Sequence, residues 1–282
     1  MDRGFRMLDL ADAAASQWGM FTTAQARALG ATAQHVARAA KASKIERIRH
    51  GVYRIAGSPP DYRDEIRAAW LLVEPEIFAY DHIRLAQPAT VSHRSAARLH
   101  ELGDLDADVM DFTVARRKQT RSPDIRYRVR NLDREEWTLL DGLPVTTIRA
   151  TLADLAADHI DGGHLARVVR DAAITHTIPL ATLAEVLLPY ADSYGAPIGD
   201  PSTLIERFLT EAGVPQTINE IAAITAPANM ERAITALRNA AVHSTGPDPY
   251  REPLLQLALA LESVTHEGEL VDTFTPPRRT IT

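Results

Sequence analysis

The sequence predicts an α+β protein built in more than one part, on three observations. Apolar residues recur at helical spacing through the first 41 positions and then switch to strand alternation. Short apolar runs bounded by turn residues mix with helical stretches as far as residue 195, and beyond a Gly/Pro-rich stretch the pattern is mostly helical. With 282 residues, 45% of them hydrophobic, the chain can furnish ordinary packed cores.

The elements follow in order. Leu8, Leu10, Ala11, Ala14, Ala15 and Trp18 give a first helix over 7–18, stopped by Gly19. Thr22 and Thr23 are N-cap candidates for a short second helix ending at Gly30, and Thr32 caps a third beginning near Ala33. Three helices with tight joints match the helix-turn-helix plan. On the third, Ala33, Val36, Ala37 and Ala40 are expected to pack, leaving Gln34, Arg38 and Lys41 to face outward. After Lys44, Ile45-Glu46-Arg47-Ile48 and Val52-Tyr53-Arg54-Ile55 read as a β-hairpin, with Gly51 relieving the turn where a wing belongs.

Downstream, Asp61 opens a helix carrying Ile66, Ala69, Trp70 and Val73, and Ser92 caps another through Leu102 after the run Ala89-Thr90-Val91. Strands are expected at 109–114 and 125–130, joined by an Arg-rich loop, and a hairpin at 137–147 turns at Asp141-Gly142. Helices follow at 148–158, 163–175 and 180–190. A linker at 194–201 ends in Asp200, a cap, and Pro201, a first helical residue. Amphipathic helix is expected beyond it, with 218–242 in two pieces broken at Pro227 and a frayed tail at 276–279. The fold expected is therefore a winged helix-turn-helix at 1–60, a mixed α/β domain at 61–195 and a helical C-terminal segment at 196–282.

Charge is distributed unevenly. Residues 1–60 carry nine basic against four acidic side chains, a net +5; residues 61–134 balance at thirteen each; residues 135–282 carry nine against twenty, a net -11. A basic front end on an acidic body fits a protein that meets phosphates with one end. The chain has no cysteine, which excludes disulfides, thiolate catalysis and Cys-ligated zinc. Acidic and basic residues interrupt the first twenty positions, and no stretch approaches the roughly 18 apolar residues of a membrane span, so a cytoplasmic protein without a membrane partner is expected.

Gln34 and Arg38 are the side-chain types that make paired hydrogen bonds to adenine and guanine edges in the major groove. Thr22, Thr23, His35, Lys41, Lys44, Arg47, Arg49, His50 and Arg54 complete the candidate DNA-binding set, the cations as phosphate contacts and Arg49 with His50 alternatively in a minor groove. Arg116, Arg117, Lys118, Arg121, Arg126, Arg128 and Arg130 form the densest positive charge in the chain. They read as a second nucleic-acid contact, as a surface for an RNA- or nucleotide-bound partner, or as an exposed hairpin of solvated arginines.

Three phrases carry a resemblance. The first runs from Met20-Phe21-Thr22-Thr23-Ala24-Gln25-Ala26 to Gly51-Val52-Tyr53-Arg54-Ile55. The second is Ser92-His93-Arg94-Ser95-Ala96-Ala97-Arg98-Leu99-His100. The third is Asp141-Gly142-Leu143-Pro144-Val145-Thr146-Thr147, with Thr151-Leu152-Ala153-Asp154-Leu155-Ala156 after it. In this order they resemble the AbiEi-family antitoxins of type IV toxin-antitoxin systems, in their actinobacterial branch. The likeness spans about residues 7–160 and does not extend to 196–282. It implies a repressor that binds double-stranded DNA of its own promoter, in repeated half-sites. It also implies a partner, a separately encoded nucleotidyltransferase-like toxin that is neutralised without an obligatory stable complex. The alternative is a winged-helix regulator with a ligand- or protein-binding body and no toxin.

Enzymatic readings fare worse. A metal-dependent nuclease needs carboxylates and a lysine late in the chain, and no lysine follows Lys118. A nucleotidyltransferase needs a Gly-Ser turn shortly before a carboxylate pair, whereas Gly57-Ser58 lies nearly fifty residues ahead of Asp106 and Asp108. His159 and His164 flank a Gly-Gly turn and not one helix face, so no metal site is expected, and no cofactor.

Overall fold

The computed structural model describes residues 6–197 and 201–214, and divides into two compact units, Met1–Asp158 and His159–Thr282. The first unit begins with helix α1 (Met7–Ala15), strand β1 (Met20–Thr22), helices α2 (Thr23–Ala28) and α3 (Ala33–Lys41), and strands β2 (Ile45–Arg49) and β3 (Val52–Ile55). The two expected caps are present in full. Thr22 Oγ1 accepts from Gln25 N while Gln25 Oε1 accepts from Thr22 N, and Thr32 does the same with His35. Strand β1 is too short to announce itself by alternation; it exists because it pairs antiparallel with β3, Thr22 opposite Val52, giving the order β1-β3-β2. Gly19, at φ +73, admits no side chain: an added Cβ would stand 2.2 Å from Ser58 Oγ.

This small sheet is covered on both faces. Phe21, Ile45, Tyr53 and Ile55 join Leu10, Ala14, Ala26, Leu29, Val36 and Ala39 in the core of the helical side. The alternate residues, Met20, Val52 and Ile48, pack with Ala68, Trp70 and Leu71 of helix α4 (Asp64–Leu71) on the other. Helix α4 begins at Asp64, three residues later than expected, because Asp61 forms a turn that accepts the backbone N–H of Arg63 at 2.8 Å.

Beyond α4 come helix α5 (Ala79–Ile83), which the sequence did not announce, strand β4 (Thr90–Val91) and helix α6 (His93–Leu99), which stops short of the expected Leu102. Strands β5 (Met110–Val114), β6 (Ile125–Val129), β7 (Trp137–Leu140) and β8 (Leu143–Thr146) precede helix α7 (Ile148–Ala157). The sheet order is β6-β5-β4-β8-β7. The expected turn between β7 and β8 is present, with Asp141 at φ +48 and Gly142 at φ +80, as a type I′ turn requires. The reading of 115–134 as an exposed hairpin is corrected: β6 runs parallel to β5, Phe112 beside Tyr127, so residues 115–124 form a crossover.

In the second unit, helices α8 (Gly162–Ile174), α9 (Leu180–Leu187) and α10 (Pro201–Glu211) pack through Leu165, Val168, Val169, Leu183, Leu187, Leu204, Ile205 and Phe208. Pro201 stands at the first helical position, as expected. The expected helices of 218–242 and the tail of 276–279 lie outside the described residues.

Two consequences are measurable. Met20 is fully buried in the core shared by the winged sheet and α4, so Met20→Ala should lower unfolding stability by about 2–5 kcal/mol in urea titration. His82, stacked on Trp70 at 4.3 Å, accepts the Ala89 N–H on Nε2, and burial holds its pKa down to about 4. The folded state therefore binds this proton more weakly than the unfolded chain does. Its contribution, about 3 kcal/mol, is complete above pH 6.5 and is lost as pH falls from 6.5 to 4. His82→Phe should flatten that part of a stability–pH profile.

Candidate nucleic-acid interface

Helix α3 buries no residue fully. Val36 and Ala39 are the side chains it packs inward; Ala33, Ala37 and Ala40, expected on the packed side with Val36, are exposed together with Gln34, Arg38 and Lys41. The outward face is therefore broader than expected, and small residues alternate with hydrogen-bonding ones. An alanine surface permits close approach of the backbone and suits contact with a thymine methyl. Arg38 Nε lies 3.4 Å from the Gln34 carbonyl, so these two are neighbours on one face. His35 is half-buried and its Nδ1 accepts the Thr32 N–H, so its ring completes the helix cap.

The remaining candidates separate by partner. Lys41 and Lys44 are exposed and make no ion pair among the described residues. Arg47 is exposed at the wing and donates to His50 Nδ1 at 2.7 Å. Thr23 is exposed at the start of α2, its N–H bonded to the Gly51 carbonyl at 2.9 Å. Arg27, absent from the sequence-based set, is exposed on α2 without an ion pair among the described residues. In a helix-turn-helix that first helix crosses the backbone, so its lone arginine is the signal that attention to the reading helix alone passed over.

Three candidates are corrected. Thr22 is fully buried, its hydroxyl donating to the Pro75 carbonyl while capping α2. Arg54 is buried between Asp64 and Glu46, each at 2.5 Å, because residues of β3 alternate and its side falls toward α4. Arg49 bonds Asp124 at 2.6 Å and Glu65 at 3.3 Å. A bulge at Ile48 sets Arg49, not Ile48, against Val52, turning the guanidinium toward the body. Nearby, Gln17 and Gln25, both fully buried, tie the helix-turn-helix to the loop before α5: Gln25 Nε2 donates to the Ile77 carbonyl at 2.7 Å, and Gln17 Oε1 accepts the Ala79 N–H at 3.0 Å.

The second basic set divides similarly. Arg128 pairs with Asp111 at 3.1 Å and with both oxygens of Asp158; Arg130 pairs with Glu136 at 2.5 Å and Asp154 at 2.9 Å; Arg126 lies 3.9 Å from Asp111. These arginines serve two buried carboxylates, Asp111 of β5 and Asp154 of α7. Burial pushes Asp154 up to about 6 against the pull of Arg130, and the His93 imidazole, 3.7 Å from it, is held at about 4 by burial and then by Arg128. Here the second and third phrases of the sequence meet, α6 packing on α7. Lys118 is held by Glu74 at 2.7 Å and by the Val73 carbonyl at 2.9 Å. Arg116, Arg117 and Arg121 are exposed and unpaired among the described residues.

Among the described residues no three His, Asp or Glu side chains converge as a metal site, and no helix is long and apolar enough to cross a membrane. Asp161 caps α8, accepting from Gly163 and His164.

Removing Arg54 would leave Asp64 buried beside a lost partner. Arg54→Ala should cost about 3–5 kcal/mol in chemical unfolding, and in the folded fraction the salt dependence of DNA binding should be unchanged.

No curated protein matches the chain. Residues 9–56, which run from within α1 to β3, match the model of a family described as transcriptional regulator, AbiEi antitoxin, so the winged helix-turn-helix of this chain is similar to that of a transcriptional regulator of the AbiEi antitoxin family.

Proposed function

We propose that the protein represses its own operon by placing α3 in the major groove, and that it is the antitoxin of a type IV system whose toxin is a nucleotidyltransferase-like protein. The observation that carries the DNA reading is the outer face of α3. It is a helix with no fully buried residue, rigidly mounted, presenting Gln34, Arg38 and Lys41 between exposed alanines. The family match over 9–56 supports a transcriptional regulator, and that family is not one of enzymes. The toxin rests on the resemblance of residues 7–160 and is tested by asking whether the full chain relieves growth arrest caused by a nucleotidyltransferase-like protein encoded beside it.

Within this reading, Arg38 specifies bases and Lys41 positions the helix on phosphates. Arg38→Ala should cost about 1–3 kcal/mol on promoter DNA and little on random duplex in a mobility-shift titration. Lys41→Ala should weaken both alike and reduce the slope of log affinity against log salt by about one unit. Equal loss on both DNAs for Arg38→Ala would remove it as a reader.

A further inference from the structure

We propose that the crossover loop 115–121, and not the wing tip, carries the contact to phosphates flanking the site read by α3; this rests on the DNA reading above. The wing is short. Its turn at His50 and Gly51 follows directly on Val52's pairing with Thr22, so the hairpin ends level with β1. Its tip is packed on one side at Gly51, with His50 exposed. A Cβ built on Gly51 would lie 3.6 Å from Leu72 and 3.7 Å from Thr23, and Arg49 is spent on Glu65 and Asp124. The wing thus keeps one extended cation, Arg47.

The residue that closes over Arg49 is the end of the Arg-rich crossover. Asp124 fixes that end to the wing, and Lys118 fixes the middle to the C-terminal end of α4 through Glu74 and the Val73 carbonyl. Arg121 is three residues from each pin, so its Cα lies within about 11 Å of both, and Arg116 and Arg117 lie within about 7 Å of Lys118. Both pins are already neutralised by their partners. The three arginines are exposed and make no ion pair or hydrogen bond among the described residues.

This is a platform of point charges continuous with the wing. Residues 115–124 contain no aromatic side chain, so the loop offers no surface on which an unpaired base could stack, which argues against single-stranded RNA. Duplex phosphates, one charge per roughly 1.7 Å of axis, require only cations at the right edge.

The experiment compares the full-length R116A/R117A/R121A variant with wild type on a promoter duplex with long flanks and on one trimmed of them, over a range of salt. On the long duplex the variant should bind more weakly, with a salt slope reduced by about two to three units, while its preference for promoter over random sequence persists. On the trimmed duplex the two proteins should converge. The same slope and affinity for both on the long duplex would overturn the proposal, as would unchanged DNA binding with loss of toxin neutralisation, which assigns the loop to a protein partner. Arg38→Ala in the same titration separates the two levels: if it loses promoter preference while the loop variant changes nothing, α3 reads DNA without this loop. A wild-type chain that shows no promoter preference would take down both readings.

Discussion

The structure depends on a three-stranded sheet that has no free face. A winged module of this size ordinarily buries one side of its sheet under three helices; here the other side carries Met20, Val52 and Arg54 into contact with α4 and the core of Trp70 and Phe112. Strand alternation then has a double consequence. In β1 and β3 successive residues alternate between the helical core and the neighbouring one, so neither strand can shift by a residue without emptying both. The polar ties fix the helix-turn-helix to the same platform through backbone groups: Thr22 and Gln25 donate to the Pro75 and Ile77 carbonyls, and Gln17 accepts the Ala79 N–H.

Rigid mounting bears on recognition because base contacts require orientation, whereas phosphate contacts tolerate more freedom. Helix α3 is held by its cap at Thr32, by Val36 and Ala39, and by the sheet beneath it, and among the described residues Gln34, Arg38 and Lys41 of its outer face make no side-chain hydrogen bond or ion pair beyond that of Arg38 with the Gln34 carbonyl. The ordering of α3 is therefore accomplished in folding and need not be charged to binding. The packing at Gly51 follows from the same architecture, since Leu72, directly after the helix that buries the second face of the sheet, reaches that turn.

Much of this order was legible in the sequence. Capping residues, apolar spacing and the Asp141-Gly142 turn depend on local chemistry, and the winged module, the β7–β8 hairpin and helices α7 to α10 stand close to where those signals place them. What was illegible depends on partners far away. Strand β1 owes its existence to β3, thirty residues on, and the direction of β6 against β5 is invisible because a strand reads the same parallel or antiparallel. The inner face of α3 was placed correctly at Val36 but not at its alanines, because alanine has too little apolar area to mark a side: Ala33, Ala37 and Ala40 looked like packing residues while Ala39 was the one used. Arginine is similarly mute: Arg54 and Arg128 are long, charged and flexible in any sequence, and only the arrival of Asp64 buries the first and that of Asp111 and Asp158 holds the second.

That last point changes how the charge of the chain should be read. Net charge counts every side chain equally, but a guanidinium held by two carboxylates projects little field beyond its partners, and a solvated one projects it into the double layer. In the first unit Arg54 of β3, Arg128 of β6 and Arg130 just after it are held by Asp64, Asp111, Asp154 and Asp158, together with Glu46 and Glu136. Among the cations left without a carboxylate partner among the described residues, Arg84, Arg94, Arg98, Arg134 and Arg149 lie elsewhere on the unit, but Arg27 of α2, Arg38 and Lys41 of α3, Arg47 of the wing and Arg116, Arg117 and Arg121 of the crossover tied to that wing belong to neighbouring segments, so a chain of formal charge -6 can present cations to a polyanion there. The pairing pattern, and not the total, is the electrostatic quantity that steers such a protein toward DNA.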